Sequence, residues 1–263
     1  MSQIELESSL AVALFLAILG AVELGRFFGR RRFEQDKERF GQGLGAIEGA
    51  VFALLGLLTA FTFSGAASRF EERRHLITQE ANAIGTAWLR LDLLPAGHQP
   101  ALRDLFRRYL DLRIATYADF ADRAASEAKL AEGTALQAVI WREAVEGVRH
   151  ADAAPGAPQL LLPALNEMFD ITTTRSAATR NHPPLAIYLM LSLMCLAGGV
   201  MSGYGTGPLR RRSALHVLAF AGLTSLAVAV IVDLEFPRRG LIRVDGADRL
   251  LLDLRAGLGK QGT

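Results

Sequence analysis

Four long apolar runs interrupt an otherwise mixed sequence. The first covers about 8–25, and its core from Leu10 to Val22 is followed by Glu23 and then Arg26, Arg30, Arg31 and Arg32. The second covers about 44–67 and is uncharged from Gly49 to Ser68. The third, about 184–204, starts at Pro183-Pro184 and is uncharged as far as Leu209. The fourth, about 214–232, ends at Asp233 and Glu235. Each is close to the ~20 residues a helix needs to cross the ~30 Å hydrocarbon core of a bilayer. The pattern predicts four transmembrane helices. A cleaved leader has basic residues before its apolar core. Here Glu5 and Glu7 come first and the arginines follow, so the first run reads as an uncleaved anchor.

Between the second and third runs lies a block, residues 69–182, with the composition of a soluble helical bundle. Ala, Leu, Arg and Glu dominate and strand-like alternation is absent. Pro95 with Gly97, and the Ala-, Pro- and Gly-rich stretch from Asp152 to Pro158, mark breaks. Helices are predicted over about 70–93, 99–128, 134–150 and 158–181, with Leu102, Leu105, Phe106, Tyr109, Leu110 and Leu112 at helical period. Short connections make such helices an antiparallel bundle. The fold class is therefore all-α: a transmembrane hairpin over 1–68, an extramembrane bundle over 69–182, a second hairpin over 183–235 and a C-terminal tail over 236–263.

The second run differs from the other three. No Pro or Gly occurs between Ala66 and Ile84, and Phe63, Phe70, Ile77, Ile84 and Leu91 recur every seven residues. One helix is expected to run from Leu44 to Leu91, roughly 70 Å at ~1.5 Å per residue. A seven-residue seam keeps one side facing a partner helix. It serves either internal bundle packing or, through Phe70, Ile77, Ile84 and Leu91, an oligomeric neck. The fourth block helix is expected to run on into the third span in the same way, bent at Pro183-Pro184.

Within the membrane, ~100° per residue places Gly45, Glu48, Phe52, Thr59, Phe63 and Ala66 on one face of this helix, bordered by Gly49 and Gly56. Leu54, Leu57, Leu58 and Phe61 fall opposite. Two readings of the stripe stand. In one it packs helices, with Gly45, Gly49 and Gly56 letting another backbone approach. In the other it lines a pore, with Glu48 at a mouth and Phe52 and Phe63 as a constriction around Thr59, because apolar rings gate by dewetting and carboxylates favour cations. Elsewhere, Glu23 is spaced to pair with Arg26, and Asp233, Glu235 and His216 read as interfacial residues.

Composition agrees with this picture and narrows it. The 263 residues are 51% hydrophobic and 21% charged, with net charge +2 and a mean hydropathy of +0.23. These values exclude a simple soluble domain and a disordered chain. The single cysteine, Cys195, excludes an internal disulfide framework and any CxxC metal pattern. Near-zero net charge excludes a nucleic-acid partner. No GxxxxGK[ST], GxSxG or HExxH motif occurs, and the five histidines, His75, His98, His150, His182 and His216, are scattered. Carboxylates such as Asp104, Asp111, Asp119 and Asp122 interleave with Arg103, Arg107, Arg108, Arg113 and Arg123, as on solvated helix faces. No catalytic set, metal site or cofactor site is expected, so the chain is not read as an enzyme.

Two segments carry a family resemblance. One is Ala60-Phe61-Thr62-Phe63-Ser64-Gly65-Ala66-Ala67-Ser68-Arg69-Phe70 with Glu80-Ala81-Asn82-Ala83-Ile84-Gly85-Thr86-Ala87. The other is Asp233-Leu234-Glu235-Phe236-Pro237-Arg238-Arg239-Gly240. Together with the order of two spans, a helical block, two spans and a tail, they resemble the bestrophin-like family of bacterial integral membrane proteins. The more distant likeness to true bestrophins, which are pentameric ion channels, implies a homo-oligomeric channel in the inner membrane, with the second span lining the pore through Phe52, Thr59 and Phe63. The tryptophan-rich stretch that follows this span in true bestrophins is here Arg69-Phe70-Glu71-Glu72-Arg73-Arg74. The rival reading is a non-conducting sensor or scaffold whose bundle binds a ligand or partner.

The two arguments differ on orientation. The resemblance implies a cytoplasmic block. The positive-inside rule, counting Arg26, Arg30, Arg31, Arg32, Lys37 and Arg39 in one short loop and Arg210, Arg211 and Arg212 in the other, puts both loops inside and the N-terminus, block and tail in the periplasm. A cysteine at Ala153 in a Cys195→Ala background tests this. Labelling by an impermeant maleimide added outside intact spheroplasts is expected, and protection would reverse the orientation.

Overall fold

The computed structural model describes residues 3–37, 40, 44–118, 123–209, 214–238 and 240–260. Arg39, Asp119, Asp122, Arg210, Arg211, Arg212 and Arg239 lie outside the described residues. The described chain is helical: α1 (Gln3–Gln35), α2 (Leu44–Arg90), a single 3-10 turn (Leu91–Leu93), α3 (Gln99–Ala118), α4 (Arg123–Arg149), α5 (Ala157–Arg180), α6 (Leu185–Thr206), α7 (Ala214–Glu235) and α8 (Asp245–Lys260). Four helical stretches are long and apolar enough to cross a membrane. The chain forms two compact units, residues 1–70 with 182–242, and residues 71–181 with 243–263. Continuous α2 contributes to both.

In the first unit, α1 and α6 touch backbone to backbone. Gly25 and Gly29 on α1, and Gly199 and Gly203 on α6 with Gly207 just past its end, repeat at four-residue spacing, which lines glycines along one helix face. A Cβ on Gly25 would run into the Val200 carbonyl, one on Gly29 into the Tyr204 carbonyl, and one on Gly203 into the Val22 carbonyl. Position numbers rise together along both helices, so α1 and α6 run parallel, as the first and third of four successive crossings must. Around this crossing Ile18, Leu191, Cys195, Ala221 and Ile231 form a core, joined from α2 by Leu55 and Ala66. The α2 helix packs here through side chains: Phe52 meets the Phe220 ring edge-on at 5.5 Å, and Phe52 and Leu55 cover Gly198.

In the second unit, Ile77, Ile84 and Leu91 are buried, with Trp88 set edge-on against Phe106 at 6.2 Å. Three boundaries differ from the sequence-based expectation. The α3–α4 break falls between Ala118 and Arg123, and α4 runs unbroken through Gly133, a residue a helix tolerates at modest cost. The chain leaves the helix between α5 and α6: Asn181 (φ −80°, ψ 103°) and Pro184 (ψ 142°) are extended on either side of His182 and Pro183, the two residues that directly precede a proline and are pushed from the helical region. The segment from Asp245 is no free tail but a further helix of the bundle, burying Leu251 and Leu258. Gly156 (φ 82°) takes the left-handed conformation that starts α5, where a side chain would be strained.

The glycine crossing generates a contrast. Gly203→Leu is expected to destabilise the protein by about 3 kcal/mol or more, since backbone cannot yield to the new side chain. Gly20→Leu, which meets nothing within 4 Å on the exposed side of α1, is expected to leave the thermal midpoint of the detergent-purified protein unchanged.

Candidate functional site

The membrane part of α2 has one inward and one wide outward side. Leu55, Thr62 and Ala66 are buried, and Glu48, Phe52, Leu58 and Thr59 are half-buried beside them. Gly45, Gly49, Gly56 and Phe63 are exposed, and no other segment comes within 4 Å of a Cβ placed on the three glycines. The stripe read from the sequence therefore divides. Glu48, Phe52, Thr59 and Ala66 turn toward the chain's own helices, while Gly45, Gly49, Gly56 and Phe63 face outward. The reason is general: without a hydrophobic drive between helices in lipid, small and polar residues are drawn to helix contacts as well as to pores. Phe52, half-buried, meets the Phe220 ring edge-on inside the chain.

The two threonines on the inward side of this helix bond back to their own backbone. The Thr59 hydroxyl donates to the Leu55 carbonyl at 2.8 Å and that of Thr62 to the Leu58 carbonyl at 2.7 Å, which removes unsatisfied donors from an apolar medium. A Glu48 carboxylate oxygen lies 3.3 Å from where a Gly205 Cβ would sit, beside the end of α6. Thr59, Ala60 and Phe63 form, with Leu223, Leu226, Ala227, Val230 and Ile231 of α7, an open groove of about 410 Å³. The Thr59 hydroxyl is its one side-chain polar group, so it is no cation site.

One end of this unit carries a buried ion pair. Arg69 donates from Nε to Glu235 Oε1 at 2.7 Å and also from Nη2, and His182 Nδ1 lies 3.4 Å from Glu235 Oε2. The Glu235 side chain has no exposure. Phe236 stacks on His182 at 4.8 Å, and Asp233 accepts from the backbone N–H groups of Leu241 and Ile242 at 2.8 Å each. Glu235 is thus buried and paired, where the sequence suggested an interfacial anchor.

The second unit has a polar layer at its centre. Glu80 of α2 is fully buried and accepts from Arg113 of α3 and Arg175 of α5, themselves 2% and 4% exposed. Asp248 of α8 lies 3.8 Å from Arg175. Tyr109 and Thr172 share a hydrogen bond of 3.0 Å, and Gln137 of α4 donates to Tyr109 Oη at 3.1 Å. Burial alone pushes the Glu80 carboxyl up. The charges and N–H bonds of Arg113 and Arg175 outweigh it and hold Glu80 below the usual glutamate value. Burial raises the Tyr109 phenol, opposed by Arg113 and assisted by Glu80. Arg113, expected on a solvated face, is a correction: it continues the buried series Phe106, Tyr109, Leu110. The missed signal was phase. Glu80 sits between Ile77 and Ile84 on the seam, and Arg175 lies seven residues beyond buried Met168. With Ile77, Ile84 and Leu91 buried around this layer, that part of the seam packs inside the chain's own bundle, and Phe70 packs on the core of the first unit. Among the described residues, no cluster of metal-binding side chains forms.

The family model for the bestrophin-like domain matches residues 12–247. The chain belongs to the bestrophin-like family. Crystal structures of a bacterial bestrophin homologue from Klebsiella pneumoniae share its fold. One point variant gives a TM-score of 0.68 at 16% identity, covering 93% of this chain and 98% of that one. Another gives 0.65 at 17% identity, covering 92% and 98%. A third structure, titled a membrane protein, gives 0.66 at 17% identity, covering 100% and 98%. Comparison with curated proteins gives no match. In this bestrophin-like chain the two segments that carry the family resemblance meet, because Arg69 lies in the first and Glu235 in the second.

Glu80 supplies a pH test. Its folded-state pKa lies below the unfolded value, so its contribution is complete above about pH 5 and is lost as pH falls through the folded value. The wild-type thermal midpoint is expected to drop between about pH 5 and pH 3. Glu80→Gln is expected to lose about 3–5 kcal/mol at neutral pH by leaving two buried cations short of a counter-charge, and to show a flatter acid limb.

Proposed function

We propose that this multi-pass membrane protein of the bestrophin-like family is a homo-oligomeric ion channel of the bacterial inner membrane, with α2 lining the pore. The observation that carries the reading is the side of α2 left without a partner inside the chain. It combines small residues, Gly45, Gly49, Ala53, Gly56 and Ala60, with Phe63 at 46% exposure, in a helix that joins its own unit only through side chains. Copies arranged about an axis bring such a side together, and the small residues permit close approach. Phe63 is then the aromatic constriction and Glu48, half-buried near the end of α6, flanks a mouth. Phe52 and Thr59 support the helix from behind. The family resemblance favours five copies, and the arginine count favours a periplasmic bundle.

In liposomes, the purified protein is expected to carry ion flux, and Phe63→Ala to raise it several-fold by widening the constriction. Glu48→Gln is expected to shift the reversal potential under a salt gradient away from cation preference. Absence of flux for either ion sign from an intact oligomer would favour the sensor or scaffold reading. An unchanged reversal potential would remove Glu48 from selectivity.

A further inference from the structure

We infer that the last turns of α1 form a binding surface for the headgroup of an anionic phospholipid. The helix has 33 residues, about 50 Å at ~1.5 Å each, and therefore outruns the ~30 Å hydrocarbon core. One side is occupied: Gly25 and Gly29 press on α6, Arg26 is 7% exposed, and Arg30 Nε donates to the Gly207 carbonyl at 3.2 Å. The opposite arc, at ~100° per residue, carries Leu24, Phe27, Phe28, Arg31, Arg32 and Gln35. The three apolar side chains are 51%, 47% and 50% exposed, and both arginines are exposed.

The order along this arc is the order of a lipid. Apolar and aromatic surface ends at Phe28 and guanidinium groups begin a turn later, as acyl chain gives way to phosphate. The Arg31 guanidinium lies over the Phe27 ring at 4.1 Å, and the Phe27 and Phe28 rings meet edge-on at 5.6 Å, which holds the cation at the apolar edge. Of the nearby carboxylates, Glu23 is spaced for Arg26 at i,i+3, and Glu34 for Arg30 at i,i+4 and Arg31 at i,i+3, which puts Glu34 at the edge of the arc while Arg31 and Arg32 stand on it. The arc is therefore cationic where a phosphate would lie, and an Arg guanidinium suits phosphate oxygens in paired N–H bonds.

The test is native mass spectrometry of the full-length protein given an equimolar mixture of phosphatidylglycerol and phosphatidylcholine. Wild-type protein is expected to retain phosphatidylglycerol in preference. Arg31→Gln/Arg32→Gln is expected to lower that retention about five- to thirty-fold, the range for removing one or two cations near an anionic surface. The charge-keeping pair Arg31→Lys/Arg32→Lys should retain most of it, as should Arg74→Gln/Arg108→Gln, which removes two exposed bundle arginines. Equal retention of both lipids by wild type overturns the assignment. So does an unchanged preference in Arg31→Gln/Arg32→Gln, or a changed assembly size with lipid preference intact, which would give the arc to a second copy.

Discussion

In hydrocarbon, apolar side chains gain nothing by leaving lipid for each other, so helices associate through close contact and polar bonds. The α1–α6 crossing meets that constraint by removing side chains altogether. At Gly25, Gly29 and Gly203 a backbone carbonyl of the other helix fills the space a side chain would take. This contact fixes the parallel pairing of the first and third crossings, seats Arg30 on the Gly207 carbonyl and gives Leu191, Cys195 and Ile231 a common core. The α2 helix is held differently, by Phe52, Leu55 and Ala66, and keeps its small-residue side outward. The functional proposal depends on that difference in attachment.

A buried carboxylate reinforces each unit, Glu235 in the first and Glu80 in the second. At the end of α7, Glu235 gathers Arg69 and His182, so that the helix end and the start of the return segment are pinned to α2. In the bundle, Glu80, Arg113 and Arg175 sit where leucines would otherwise go, joined by Tyr109, Thr172 and Gln137. A buried triad of this kind adds little net stability over apolar packing, but breaking it is costly. It fixes which helix faces which, because only one rotation of α3 and α5 brings both guanidinium groups onto Glu80.

The sequence made the large features legible because they rest on length and charge. A run without charge from Gly49 to Ser68 permits few structures other than a spanning helix, and no helix-ending proline breaks α2 before Leu91. Features that depend on phase were harder to read. The glycine repeat at Gly199, Gly203 and Gly207 was present, yet the Gly45 and Gly49 pair on the second span drew the same inference and has no partner inside the chain. Glu80 and Arg113 are ordinary charges by composition and exceptional only by their place on apolar faces. The α8 helix was lost in the tail, although Leu251, Leu254 and Leu258 already carry helical spacing. The outward side of α2 was half visible: Phe63 and the glycines were singled out, but the rotation that separates them from Phe52 and Thr59 is set by Leu55 and Ala66 packing, which no single-helix pattern encodes.

The central claim is that the unpartnered side of α2 meets the same side of other copies around an axis. Disulfide cross-linking of Gly56→Cys in a Cys195→Ala background, in native membranes, measures this directly. The account predicts rapid cross-linking of adjacent copies through α2, with the protein running as an oligomer when the membranes are solubilised. Uniformly monomeric protein, with Gly56→Cys uncross-linked yet freely labelled by a lipid-soluble maleimide, would place that side against lipid and contradict it.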